Sequence, residues 1–185
     1  QNNIVVDNQT AGDEAGGGIH FAGALAHMMH TTIARNTGSG VWVGPTPWGS
    51  GLLSTAYLTN TILAGNSIGV YVAPPQDSGD HVAALIGTLW GTEEWANGED
   101  WAGEGTIISE LPSMYGDPEF ANPDAGDYHI GPSSAAVDDG IATDVTDDID
   151  NQPRPYQVPD FGADEYWPPG TLEYVYLPLV SLDVQ

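Results

Sequence analysis

Short alternations of apolar and polar residues, with no sustained helical period, organise this chain. Three segments line up when aligned on asparagine: NIVVDN ending at Asn8, TTIARN ending at Asn36 and TNTILAGN ending at Asn66, at spacings of 28 and 30 residues. After each asparagine, a turn rich in Gly, Ser or Thr leads into a second short β-branched or aromatic stretch, at residues 19–21, 41–43 and 70–72. Repeats of roughly 20 to 50 residues mark solenoids, propellers or arrays. Single corner residues between short strands, in place of hairpin signals, predict stacked β-coils and disfavour propeller blades. Alternation then places Ile33, Val41, Val43, Ile62, Val70 and Val72 inside the coil and His20, Trp42 and Tyr71 outside it. Asparagine suits the corner because it tolerates left-handed backbone and satisfies turn amides. Stacked asparagines can also hydrogen-bond from coil to coil. The stretch 22–29, AGALAHMM, has some helical propensity but is assigned as the third strand of the first coil with its connection.

The end of the chain has a different pattern. Residues 174–180 run apolar almost without a break, with Val175, Leu177 and Leu179 on one face and Tyr174, Tyr176 and Val180 on the other. A strand that is apolar on both faces has to be buried on both, which its own domain cannot do on one flank. Addition to an edge or end coil of a neighbouring copy would do so. Trp167-Pro168-Pro169-Gly170 precedes it as a stiff connection. The first coil, NNIVVDN, shows no capping helix or polar lid, so Ile4 and Val6 are expected to lie at an uncovered end that meets another copy or a removed extension. The expected layout is β-helix coils over 1–115, a closing segment over 116–167 and a tail strand over 168–185.

Charge narrows the function classes. Two cations, Arg35 and Arg154, stand against 26 carboxylates, giving a formal net charge of -24 without a single lysine. Phosphate neutralisation needs clustered Lys or Arg, so nucleic-acid binding is excluded. No cysteine is present, which removes disulfides, thiolate metal sites and cysteine nucleophiles. No apolar run approaches the ~20 residues that span a bilayer, so membrane insertion is not expected. Gly at 24 and Pro at 14 agree with short strands and turns.

Units such as TILAGNSIGVYV resemble the repeats of right-handed parallel β-helix proteins secreted by bacteria. The later half is similar to the closing segment of β-helix surface proteins described as carrying a choice-of-anchor domain. The motifs are GDP-x-F at 116–120, GDY-x-I at 126–130, S-x-A-x-D-x-G at 134–140, D-x-D-x-x-x-R-P at 148–155 and D-x-GA-x-E at 160–165. The resemblance spans roughly residues 2 to 167 and implies an all-β fold, a right-handed parallel β-helix with an irregular closing segment, at the bacterial cell surface or outside it. It says little about activity, since this architecture hosts lyases, hydrolases, adhesins and passive stalks.

Candidate chemistry falls in several places along the chain. Lyase chemistry on uronates calls for a cationic base and cationic clamps, and the chain offers only two arginines. Paired carboxylates for glycoside hydrolysis are numerous but unpatterned. Trp90, Trp95 and Trp101, interleaved with acids in WGTEEWANGEDWAG, are a candidate platform for neutral glycans, set against a packed surface loop. Asp144, Asp147, Asp148 and Asp150 in DVTDDIDNQ are candidate calcium ligands, because that ion takes six to eight oxygens. His27 and His30 fall on opposite faces of a strand and do not suggest a shared metal. No cofactor is required by any of these readings. The expectation is a non-enzymatic extracellular structural protein, a β-helix subunit that self-associates into a fibre or sheath through its tail strand. The alternative is a carbohydrate-binding or degenerate polysaccharide-enzyme module of a surface protein.

Overall fold

A computed structural model describes residues 1–10, 16–46, 51–109, 111 and 113–171. Its strands are β1 (Asn3–Val6), β2 (Gly16–Ala22), β3 (Leu25–Ala34), β4 (Ser39–Gly44), β5 (Thr55–Ala64), β6 (Ile68–Val72), β7 (Val82–Gly91), β8 (Glu99–Gly103), β9 (Thr106–Ser109), β10 (Ser113–Gly116), β11 (Phe120–Asn122) and β12 (Asp127–Ile130). One parallel sheet runs β1-β3-β5-β7-β10 with β9 also on β7, and a second runs β2-β4-β6-β8. These sheets stack as a parallel β-solenoid of about four turns. Strands β11 and β12 form an antiparallel pair outside the stack.

Each long strand is two faces of a coil joined at a left-handed residue. His30, Asn60 and Gly87 have φ of 49°, 50° and 74°. The last turn makes this division explicit, because β9 pairs with the first half of β7 and β10 with the second. The stretch 25–29 is therefore a strand of the third face, as expected for 22–29, and Leu25 to Met29 pair with Thr55 to Thr59.

A ladder of side chains stitches the next corner. Asn8 donates through its amide and Nδ2 to Asn36 Oδ1 at 3.1 and 2.9 Å, Asn36 likewise to Asn66 Oδ1 at 3.1 and 2.9 Å, and Asn66 to Asn97 Oδ1 at 3.0 and 3.1 Å. Every rung satisfies a turn amide that the strands leave over, and the Asn36 amide is buried, which is why the chain repeats asparagine there.

The register fixes what lies inside. Inward columns run Val5–Ile33–Leu63–Trp90–Tyr115, Ile19–Val41–Val70–Trp101 and Ala26–Ala56–Ala83–Ile107. The neighbouring parity, Ile4–Thr32–Ile62–Leu89–Met114, points outward. Ile62 is thus not interior as the alternation suggested. It is fully buried all the same, because residues 117–166 fold back over that flank and pack Phe120, Tyr128, Ile130, Ala136 and Phe161 against it.

Several contacts seat this closing segment. The Gly162 amide donates to Asn60 O at 2.9 Å, the Ala163 amide to Thr32 Oγ1 at 3.1 Å, and Asn60 exchanges hydrogen bonds of 2.8 and 2.9 Å with Ile141. Beneath it, Arg154 donates to the carbonyls of Asp160, Gly162 and Ala163 and lies 3.3 Å from Glu165 Oε2, with both side chains fully buried. Arg154 also donates to His30 Nδ1, while Nε2 lies 2.9 Å from Thr143 Oγ1 and 3.2 Å from Asn60 Nδ2. Burial, and then the Arg154 charge, hold the His30 pKa down to about 3.

Candidate functional site

The inward columns end at the last turn, and their final members are open. Val70 and Trp90 are sealed, whereas Trp101 and Tyr115, one turn further along the same columns, are 52% and 57% exposed. The chain leaves β10 for the flank and does not cross over this end within the described residues. The result is a mainly apolar cavity of about 370 Å³ lined by Leu85, Trp90, Trp101, Ile107, Ser109, Ser113 and Tyr115. It is the mouth of the solenoid core.

Polar groups rim the mouth on one side. The Tyr115 hydroxyl donates to Asp100 Oδ2 at 3.0 Å, and partial burial together with that carboxylate raises the phenol pKa. The other oxygen of Asp100 accepts from Asn97 Nδ2 at 3.2 Å. Asp100 therefore takes the place that a further asparagine oxygen would fill, and it terminates the ladder.

The three tryptophans do not share a platform. Trp90 is inside the core, with an indole N–H that meets no acceptor, and it forms part of the floor of the mouth. Trp95 sits on a 3₁₀ turn (Glu93–Trp95) and packs edge-on against Phe120 at 4.9 Å, on the flank. There it lines a larger, more polar cavity of about 680 Å³ with Arg35, Glu94, Glu119 and Asp124. Arg35 is already engaged by Asp7 at 3.0 Å and Asp124 at 2.8 Å. Only Trp101 offers an open ring, 5.9 Å from that of Trp90.

The four aspartates of the acidic loop also fail to converge. Asp148 is buried and spends its carboxylate on the amides of Asp150, Gln152 and Glu165 at 2.9, 2.8 and 3.3 Å, which makes it the organiser of its own turn. Asp147 accepts from Thr146, Asp144 is exposed, and Asp150 turns onto His129. An all-oxygen calcium cage is not formed by this set.

Ile4 and Val6 belong to β1, the edge strand of the first turn, and their half-buried side chains pack toward the closing segment, while Val5, Ile19 and Phe21 hold the core positions of that turn. Tyr174, Val175, Tyr176, Leu177, Leu179 and Val180 lie outside the described residues. Tyr115 and Ile107 were missed from the sequence, and Asp100 stood there only as one of the acids interleaved with the tryptophans. Asn97, 31 residues after Asn66, carries the signal that marks the fourth turn and puts Trp101 in the column of Val70.

No helix among the described residues is long and apolar enough to cross a membrane. No protein-family model, curated protein or solved structure matches this chain.

Proposed function

We propose that this chain is a non-enzymatic structural subunit of the cell exterior, joined to copies of itself into a fibre or sheath. The open mouth carries this reading: a solenoid core ending in an exposed Trp101 and Tyr115, beside outer edges of β8, β9 and β10 that no strand among the described residues pairs. Covering both needs an apolar strand that brings its own backbone donors and acceptors. Residues 174–180 of a neighbouring copy have that chemistry, since both faces of the stretch are apolar. A contact between the tail of one copy and the mouth of the next is heterologous, so it propagates into a filament unless the rotation closes a ring. Placement outside the cell rests on the similarity of the closing motifs to those of bacterial surface proteins. The net charge of -24 opposes contact between copies, so association strengthens as salt screens it.

The test is sedimentation velocity and electron microscopy of the full chain, of a chain ending at Thr171 and of Trp101→Ser/Tyr115→Ser. Polymers of the full chain that disappear in both variants support the reading. Polymers that persist in both, or a monomeric full chain at high salt, sink it.

A second reading is favoured by one observation, the exposed Trp101 and Tyr115 rings beside the Asp100 carboxylate, a pairing suited to a neutral sugar. Glycan-array binding lost in Trp101→Ala would select it.

A further inference from the structure

A second cluster lies at the far side of the closing segment, in an open cleft of about 200 Å³ between β12 and the loops at 148–152 and 164–167. Alternation along β12 buries Tyr128 and Ile130 and turns His129 outward into this cleft. His129 Nδ1 is 2.5 Å from Asp127 Oδ1, and that carboxylate also accepts the His129 amide at 3.2 Å. The contact assigns the Nδ1 proton to Asp127 and directs Nε2 into the cleft, where Asp150 Oδ2 lies 2.6 Å away. Asp164 comes from a third segment. It is only 6% exposed, and its Oδ2 accepts the Ile130 amide at 2.8 Å. The ligand atoms of His129, Asp150 and Asp164 all lie within 4.8 Å of one another.

We infer that His129, Asp150 and Asp164 form a binding site for a divalent transition ion of the zinc class, with Asp127 orienting the imidazole from behind. Three features point there. A histidine whose far nitrogen is held by a carboxylate is the common arrangement around protein-bound zinc. One nitrogen and two carboxylate oxygens suit zinc or manganese, whereas calcium takes six to eight oxygens and no imidazole. Burying the Asp164 carboxylate is costly, its positive neighbour among the described residues is the His129 imidazole, and a dication in the cleft would take over that role. The cleft is open, so water completes the coordination sphere. Asp150 must withdraw by roughly 0.7 Å to admit the ion, because ligand atoms on a tetrahedral zinc lie about 3.3 Å apart, and its position on an exposed loop permits that. The site would cross-link β12, the acidic loop and the last motif of the closing segment, three pieces that meet only in the folded chain.

The test uses the full chain stripped with a chelator and titrated with zinc by calorimetry, and with cobalt(II) by visible absorption. The expected result is one equivalent bound, a cobalt d–d band that zinc abolishes, and an unfolding midpoint raised by zinc in the presence of excess magnesium. Asp150→Asn, a change at an exposed position, should abolish stoichiometric binding, and Asp127→Asn should weaken it by roughly 10- to 100-fold. No saturable binding, equal binding by Asp150→Asn, or a midpoint shift that magnesium or calcium reproduces would each overturn the proposal, the last by assigning the effect to diffuse screening of the acidic surface.

Discussion

Replacing Arg154 by alanine removes the cation at the centre of the closing segment, and the structure sets the size of the loss. The guanidinium and its partner Glu165 are fully buried, so neither is screened by water. Truncation leaves Glu165 with only the amides of Tyr156 and Asp160, at 2.7 and 3.1 Å, and no countercharge. The carbonyls of Asp160, Gly162 and Ala163 lose a charged donor together. Breaking a buried pair from one side costs about 3–5 kcal/mol. For a chain of this length that lowers the thermal midpoint by roughly 6–20 °C. Arg35→Ala is the matched control, because it removes the same charge from two ion pairs whose arginine side chain is 37% exposed. Exposed pairs contribute about 0–1 kcal/mol. Urea titrations followed by tryptophan fluorescence measure both, and Glu165→Leu added to Arg154→Ala should recover part of the loss by removing the stranded charge. Equal costs for the two arginines, or a cost below about 1 kcal/mol for Arg154→Ala, would refute the reasoning.

His30 is held neutral in the fold with a pKa near 3, against an ordinary value of 6.5, so its contribution is complete above pH 6.5 and is lost as pH falls toward 3. His30→Asn keeps a residue tolerant of the left-handed corner, as Asn60 is one turn on, and should remove roughly 2 to 3 kcal/mol of the stability difference between pH 7 and 4.5; an unchanged acid slope counts against it. Gly162 has φ of 89°, and a β-carbon there would meet Ile62 Cδ1 at 2.6 Å and Thr32 Oγ1 at 2.8 Å. Gly162→Ala should therefore lift the closing segment and cost at least about 2 kcal/mol in chemical denaturation. Raising sodium chloride from ~10 mM to ~1 M shortens the screening length from about 30 to about 3 Å and should raise the thermal midpoint by several degrees; a flat profile would mean that self-repulsion is unimportant.

The repeat was legible where its signals are local. Period-2 alternation involves residues a few positions apart, and the corner asparagine recurs at nearly constant intervals of 28 and 30 residues, so Asn8, Asn36 and Asn66 and the interior valines could be placed from the sequence. The third face was harder to see, because its corner is held by three unlike residues, His30, Asn60 and Gly87, which share only a left-handed backbone. Ile62 was misassigned although the alignment held the answer. Counted back from the corner asparagine, Ile33 is third and Ile62 fourth, which are opposite faces of a strand. The apolar outward face becomes intelligible only with the closing segment laid over it. Trp90 looked like a neighbour of Trp95 and Trp101, yet strand, 3₁₀ turn and strand send the three rings to the interior, the flank and the mouth. The His129 cluster joins residues far apart in the chain and has no local signature.

The flank strap also governs the order in which this molecule can be made. Turns of a plain solenoid need only their neighbours, so they can settle one after another as they leave the ribosome. Here the outward column of Ile4, Ile62, Leu89 and Met114 waits for Phe120, Tyr128 and Phe161, which are synthesised later. A nascent chain with all its coils already wound still shows an apolar stripe along its side, and translation past residue 161 is what converts a sticky intermediate into a finished surface.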